Sequence, residues 1–327
     1  MLDVGINAAP LAAQRTGVGR YIAGLLDALE ALRPQGLRAR PLFLPGPAQR
    51  GLRGLVKRLP FAYSVAEAGR ALLLERERQR GLSVYHETNH AAPMFRGPVV
   101  VTIHDLSTVL QPQMQEPARA RHFARALVTR ARSAARVIVP TEAIANEVCE
   151  HLGVLRERVR VIHHGVDSRF SPGLEARGRF VLYTGDDGPR KGLATLRAAL
   201  PDGVPLKLAG PGHGYVGDHE LLRLYRTAAV LVLPSLYEGF GLPLLEAMAC
   251  GTPCIASDDP ALVEVAGGAA LHFPRGDADA LRRCIQQVFD DAGLRADLSR
   301  KGISRARAFR WDDCARRHVE VYREAAG

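Results

Sequence analysis

Short apolar runs recur along this chain at residues 2–6, 99–103, 137–139, 160–162, 180–183, 206–208 and 230–233, and stretches of helical spacing separate them. Strands that alternate with helices predict parallel β-α units, and so an α/β fold. At 327 residues the chain exceeds what one hydrophobic core usually supports, so two domains are expected. Residues 165–178, with Ser171-Pro172-Gly173 among them, are the linker candidate, dividing 1–165 from 166–310. No internal repeat or low-complexity tract is evident.

After the apolar run 230–233 comes Ser235-Leu-Tyr-Glu238-Gly239-Phe240-Gly241-Leu242-Pro-Leu-Leu-Glu246-Ala-Met-Ala-Cys-Gly251, and residues 244–250 are rich in helix formers. The order is strand, turn, helix. Gly239 and Gly241 suit a turn that needs positive φ and brings bare N–H groups close to a ligand, at the positive end of the helix that follows. Glu238 falls in the turn at the carboxyl end of the strand, where doubly wound sheets bind ligands, and Glu246 about two helical turns further on. One carboxylate can reach a reacting sugar and the other a more distant pair of hydroxyls. Taken alone, Glu246 could equally be a solvated helix residue and Glu238 a charge favoured by the helix dipole. The glycine- and proline-rich setting on both sides favours the functional reading.

This segment resembles the E-x7-E signature of retaining glycosyltransferases of family 4. Val181-Leu-Tyr-Thr-Gly185-Asp186-Asp-Gly-Pro-Arg190-Lys191-Gly192 resembles the family's donor-phosphate loop, and Val161-Ile-His163-His164-Gly165-Val-Asp167 its domain-linking motif. Thr16-Gly17-Val-Gly19-Arg20-Tyr21 fits the first glycine-rich loop, and Val101-Thr-Ile-His104-Asp105-Leu-Ser107 the segment carrying the family's histidine. The resemblance spans nearly the whole chain and implies a GT-B fold, two facing Rossmann-like domains with parallel sheets. A last helix, over 311–327, is expected to cross back onto the N-terminal domain. It also implies an N-terminal acceptor domain and a C-terminal donor domain.

The same resemblance implies site residues. Lys191 matches the lysine that contacts the donor diphosphate; Asp186 follows Gly185 where relatives often carry arginine, so Arg190 is the candidate second cation. Gly17 and Gly19 are expected to approach the donor phosphates and the acceptor, and Gly185, Gly239, Phe240, Gly241, Leu242 and Glu246 to line the donor. His104 and Glu238 are expected to face the transferred sugar; the bland alternative for His104 is a structural histidine paired with Asp105. His163 and His164 stand where Pro-Asn is usual, and Arg136 where many relatives carry aspartate. No D-x-D pair follows a strand: Asp258 and Asp259 are adjacent, and Asp277 and Asp279 fall in a late loop. Neither a metal nor another cofactor is expected. The donor expected is GDP-mannose or a similar nucleotide sugar, and the acceptor a lipid-linked sugar or a glycan.

Charge adds a partner to the picture. The net charge is +10, and residues 1–170 hold 24 Arg and Lys against 14 Asp and Glu, whereas 171–327 hold 20 against 20. A basic half suits an anionic partner such as phospholipid, a lipid diphosphate or nucleic acid, although 40 of the 44 cations are arginine, a bias that genome composition can also produce. Residues 50–59 set Leu52, Leu55, Val56 and Leu59 at helical spacing among Arg50, Arg53, Lys57 and Arg58. Such a segment can lie in a membrane interface or face a core. Residues 119–136 read as an ordinary solvated helix. No apolar run approaches the length that spans a bilayer, and a cytoplasmic protein, peripheral on the inner face of the membrane, is expected. Cys149, Cys250, Cys254, Cys284 and Cys314 lack paired spacing and read as reduced packing residues. Two rivals remain: an epimerase or hydrolase of sugar nucleotides on the same fold, and a basic nucleic-acid-binding protein. Aromatics at 6% of the chain, not interleaved on a basic face, speak against the second.

Overall fold

The computed structural model describes residues 1–12, 17–44, 62–89, 95–111, 126–214 and 216–327. They form two compact units, one of residues 1–140, 144–163 and 311–327 and the other of 141–143 and 164–310. The cationic segment 50–59, Thr16 and residues 119–125 lie outside the described residues.

In the first unit the chain runs through β1 (Leu2–Asn7), α1 (Gly17–Leu32), β2 (Leu37–Leu42), α2 (Ala62–Gln79), β3 (Val84–Glu87), β4 (Val99–Thr102), α3 (Ser107–Leu110), β5 (Arg136–Val139), α4 (Glu142–Leu152) and β6 (Val159–Val161). Among the described residues its sheet has the order β2-β1-β3-β4-β5-β6, every pair parallel. The order reverses beside β1, so the switch point lies between β1 and β3, with Asn7 and Thr88 at the carboxyl ends.

The second unit contains β7 (Val181–Thr184), α5 (Leu193–Ala199), β8 (Leu206–Ala209), α6 (Asp218–Thr227), β9 (Val230–Leu233), α7 (Leu242–Ala249), β10 (Cys254–Ser257), α8 (Pro260–Ala266), β11 (Leu271–Phe273), α9 (Ala278–Asp290) and α10 (Ala292–Ala306). Its parallel sheet has the order β11-β10-β9-β7-β8, with the switch point between β7 and β9. Successive strand residues face opposite sides, and both sides are covered. Val181, Tyr183, Val230, Val232 and Ile255 join one core; Leu182, Leu231, Leu233, Cys254 and Ala256 join the other. Full burial on both faces is why these strands read as unbroken apolar runs, each large side chain contributing about 1.5–3 kcal/mol.

The last helix, α11 (Trp311–Ala326), belongs to the first unit. Cys314, Ala315, His318, Val319, Tyr322 and Ala325 recur at helical spacing and are buried beside Tyr21, Ile22 and Leu25 of α1. A Cβ on Gly24 of α1 would come within 2.3 Å of Trp311 Cε2, so only glycine leaves room for that indole. At the far end of α11, Arg136 on β5 and Arg160 on β6 donate to Glu324 Oε2 at 2.8 and 2.7 Å. Arg136 thus ties sheet to helix here. All five cysteines are free thiols, with Cys250, Cys254 and Cys314 buried. Among the described residues no helix is long and apolar enough to cross a membrane.

Candidate active site

The two loops that flank the switch point of the second unit touch through their backbones. Gly192, at the end of the loop after β7, has φ 66°, and a Cβ there would lie 2.0 Å from Pro234 O. Leu236 N–H donates to Arg190 O at 2.7 Å. This contact sets Lys191 beside Glu238: Lys191 Nζ donates to Glu238 Oε1 at 2.6 Å, and Ser235 Oγ donates to the same oxygen at 2.8 Å. Arg190 Nη1 stands 3.9 Å from Glu238 Oε2 and donates to Tyr237 O at 3.4 Å. Lys191 and Glu238 are 16% and 11% exposed, so water screens the pair far less than it would on an open surface. The result is a pair of cations, Lys191 and Arg190, held around one carboxylate at the carboxyl edge of the sheet.

Asp186 is used locally. Its Oδ1 accepts Gly188 N–H at 2.9 Å, and its carbonyl accepts the Tyr183 hydroxyl. Gly185 N–H donates to Ala209 O at 3.0 Å, which ends β7 against β8.

The glycine turn differs from expectation in one respect. Gly241 has φ 89° and caps α7, but Gly239 does not have positive φ. One left-handed residue is enough to turn the chain into the helix. Gly239 O instead accepts Thr141 Oγ1 at 3.1 Å. Phe240 and Leu242 are buried; the Phe240 ring lies 4.7 Å from that of His164 and 5.9 Å from that of Phe309.

Glu246 is in the second turn of α7, closer to the turn than two helical turns, because the helix starts only at Leu242. It is 3% exposed, which excludes a solvated helix residue. Tyr225 Oη, 3.4 Å from Thr184 Oγ1, donates to Glu246 Oε2 at 2.8 Å. A buried carboxylate so held sits beside the end of β7.

Two residues not singled out from sequence complete this edge. Asp259, 1% exposed, is the N-cap of α8 and also accepts Glu238 N–H at 3.2 Å. Burial pushes its carboxyl up to about 6, against the backbone donors that favour the charged form. Arg275 bonds Asp258 Oδ1 through Nε at 3.1 Å and stands 3.9 Å from Asp259 Oδ2. The Asp-Pro pair at 259–260, a cap followed by an N1 proline, is the sequence signal that marks Asp259.

In the first unit, Gly17 and Gly19 lie within the first turn of α1, where a loop was expected. His104 follows β4, and its Nε2 bonds Thr88 O at 2.9 Å. A carbonyl only accepts, so Nε2 carries a proton and donates. Asp105, the partner in the structural alternative, accepts the Ser107 N–H and hydroxyl at 2.9 and 2.6 Å. The His104 ring meets Tyr21 edge-on, centroids 4.9 Å apart.

Tyr21 belongs to a buried polar chain whose proton directions follow from one carbonyl. His318 Nδ1 donates to Cys314 O at 2.8 Å, so its Nε2 must accept from Tyr21 Oη at 2.9 Å. Tyr21 has then used its proton, so Thr102 Oγ1 donates to it at 3.0 Å. Thr102 in turn accepts His86 Nε2–H, and His86 Nδ1 accepts the Tyr322 hydroxyl, each at 2.8 Å. Burial holds His86 well below the usual histidine range and pushes His318 down to about 4. Both rings are neutral. Among the described residues no group of three or more His, Cys, Asp or Glu side chains is arranged to hold a metal ion.

Comparison with known proteins agrees with this architecture. Residues 15–170 match the family described as Glycosyltransferase Family 4, and residues 212–305 match Glycosyl transferases group 1. The chain is 28% identical over 281 residues to the O-antigen chain mannosyltransferase B of Escherichia coli, covering 73% of this chain and 74% of that protein. It is 30% identical over 272 residues to an MMP alpha-(1->4)-mannosyltransferase of Mycolicibacterium hassiacum, covering 70% of this chain and 66% of the relative. Among solved structures, a sucrose-phosphate synthase from Thermosynechococcus elongatus superposes with TM-score 0.79 at 22% identity, over 99% of both chains. HepE of Anabaena, in complex with UDP and glucose, superposes with TM-score 0.73 at 16% identity, covering 98% of this chain and 99% of that one. The fold is GT-B, and these likenesses favour neither an epimerase nor a nucleic-acid-binding protein.

Proposed function

We propose that this chain, which belongs to glycosyltransferase family 4 and is a glycosyltransferase of the GT-B fold, is a retaining, metal-independent mannosyltransferase. Its donor is GDP-mannose or a closely related nucleotide sugar, and its acceptor a lipid-linked sugar or a glycan. The two relatives named above are mannosyltransferases, which supports mannose.

The observation that carries the reading is the cation pair at the switch point, Lys191 at 2.6 Å and Arg190 at 3.9 Å from the Glu238 carboxylate. A leaving nucleoside diphosphate gains negative charge in the transition state, and fixed cations stabilise that charge most when it has developed. Lys191 and Arg190 take this role. Glu238 orients the sugar, and Glu246 receives the ribose hydroxyls. His104, whose Nε2 bonds Thr88 O, is the catalytic histidine of this reading. The basic first half of the chain, including residues 50–59, brings the enzyme to an anionic membrane surface that carries the acceptor.

A thermal-shift panel of GDP-, UDP- and ADP-sugars tests the donor: the true donor at 100 times its Kd stabilises the folded state by about 2.7 kcal/mol. GDP-mannose should give the largest shift, with turnover that persists in EDTA. A larger shift with a UDP-sugar would reassign the donor, and turnover that EDTA abolishes and Mg²⁺ restores would reject metal independence.

A further inference from the structure

We propose that Asp259 is a positioning residue for the transfer reaction: its two carboxylate oxygens join the start of α8 to the backbone of Glu238 and so fix the placement of that glutamate. The proposal rests on the reading of Glu238 as a sugar-orienting residue.

The oxygens divide their work. Oδ1 accepts Ala261 N–H at 3.0 Å and Leu262 N–H at 3.2 Å, which completes the cap of α8. Oδ2 accepts Glu238 N–H at 3.2 Å. Capping alone needs a single oxygen, and serine or threonine serves as well as aspartate. The second oxygen is therefore surplus to the helix, and it is spent on the glutamate. Glu238 is in consequence held at both ends, its carboxylate by Lys191 and Ser235 and its amide by Asp259. Ser235 is itself anchored, since its carbonyl accepts the Ser257 hydroxyl from the end of β10.

The surroundings make this link sensitive to charge. The groups that face Asp259 are Glu238 from the loop after β9, Arg275 from the loop after β11, and the N–H groups of α8; Arg275 also engages Asp258 and the Leu236 carbonyl. Buried as it is, the carboxyl lies close to neutrality, pushed up to about 6. A protonated Asp259 carries an O–H on one oxygen, which then accepts only weakly, so it holds either the helix or Glu238 less well. Protonation weakens the link, and the glutamate loop loosens as pH falls through about 6.

Asp259→Ser separates the two roles, because it keeps an oxygen for the cap and removes the acceptor for Glu238. Asp259→Asn keeps the shape but turns one acceptor into a donor. With GDP-mannose, or whichever donor the thermal-shift panel selects, release of nucleoside diphosphate should fall about tenfold in kcat for both, the loss expected for one hydrogen bond to a charged group. The KM for donor should move little, the acid limb of kcat near pH 6 should disappear, and the thermal midpoint of Asp259→Ser should stay near that of the parent. Glu238→Ala serves as reference. If it is inactive while both Asp259 variants keep the parental kcat and pH profile, the coupling is wrong and the role of Glu238 stands. If Glu238→Ala keeps full activity, both readings fall. Loss of activity that tracks a collapsed thermal midpoint in both Asp259 variants would overturn positioning in favour of stability alone.

Discussion

Lys191 and Glu238 stand 47 residues apart in the chain and 2.6 Å apart in the structure, brought together by the backbone contact of Gly192 with Pro234. The pair holds the ammonium at the carboxyl edge of the sheet, and in the proposed function Lys191 stabilises the leaving diphosphate. Lys191→Ala should therefore lower kcat/KM by roughly 10²–10³, the range seen when one transition-state donor is removed, and lower donor affinity by less. Steady-state kinetics alongside calorimetric titration of donor check this; equal losses in the two would mean that Lys191 binds ground and transition states alike.

Glu246→Ala should weaken donor binding by about 1.5–3 kcal/mol, the worth of a hydrogen bond to a charged group. Tyr225→Phe, which leaves the carboxylate but removes its 2.8 Å donor, should cost less, about 0.5–1.5 kcal/mol. Titration of GDP into each variant measures both, and an unchanged affinity for Glu246→Ala would remove the ribose role.

The neutral histidines of the first unit make stability fall in acid. His86 and His318 titrate lower in the folded state than in the unfolded chain, so the unfolded state binds more protons between the two values. Stability is full above the unfolded histidine value near 6.5 and declines as pH drops toward about 4, by roughly 3 kcal/mol for His318 alone. Urea midpoints measured from pH 7.5 down to 4 should show the decline, and His318→Gln should flatten it. A flat profile in the parent would mean that these rings titrate in the folded state as they do in the unfolded chain.

The protein should sediment with anionic vesicles of phosphatidylglycerol and not with neutral phosphatidylcholine, each cation near the surface contributing about 1 kcal/mol. Changing Arg53, Lys57 and Arg58 together to glutamate should abolish sedimentation and leave binding of soluble donor intact. Equal partitioning onto both vesicle types, or none onto either, would attribute the surplus arginine to composition alone.

Much of the second unit was legible in advance, because strands covered on both faces carry an unbroken apolar signal and β9 leads directly into the glutamate motif. The spacing of Gly239 and Gly241 could not say which of them takes the left-handed conformation; the first turn of α7 decides in favour of Gly241. The burial of Glu246 was equally hidden, since its partner Tyr225 lies 21 residues earlier on another helix. The chain from Cys314 through His318, Tyr21, Thr102 and His86 to Tyr322 joins residues up to 297 positions apart, and no local pattern encodes it. Asp259 was open to reading as a helix cap, but its second oxygen acquires a purpose only once the loop after β9 folds against it.

The return of α11 to the first unit has a consequence for how the polypeptide is made. Domains tend to fold as they leave the ribosome, the earlier ones first. Here the strands β1 to β6 emerge before any of residues 164–310, yet the helix that buries Val319 and Tyr322 against α1 and closes the histidine chain emerges after all of them. The core of the first unit is therefore complete only after residues 164–310 have been synthesised.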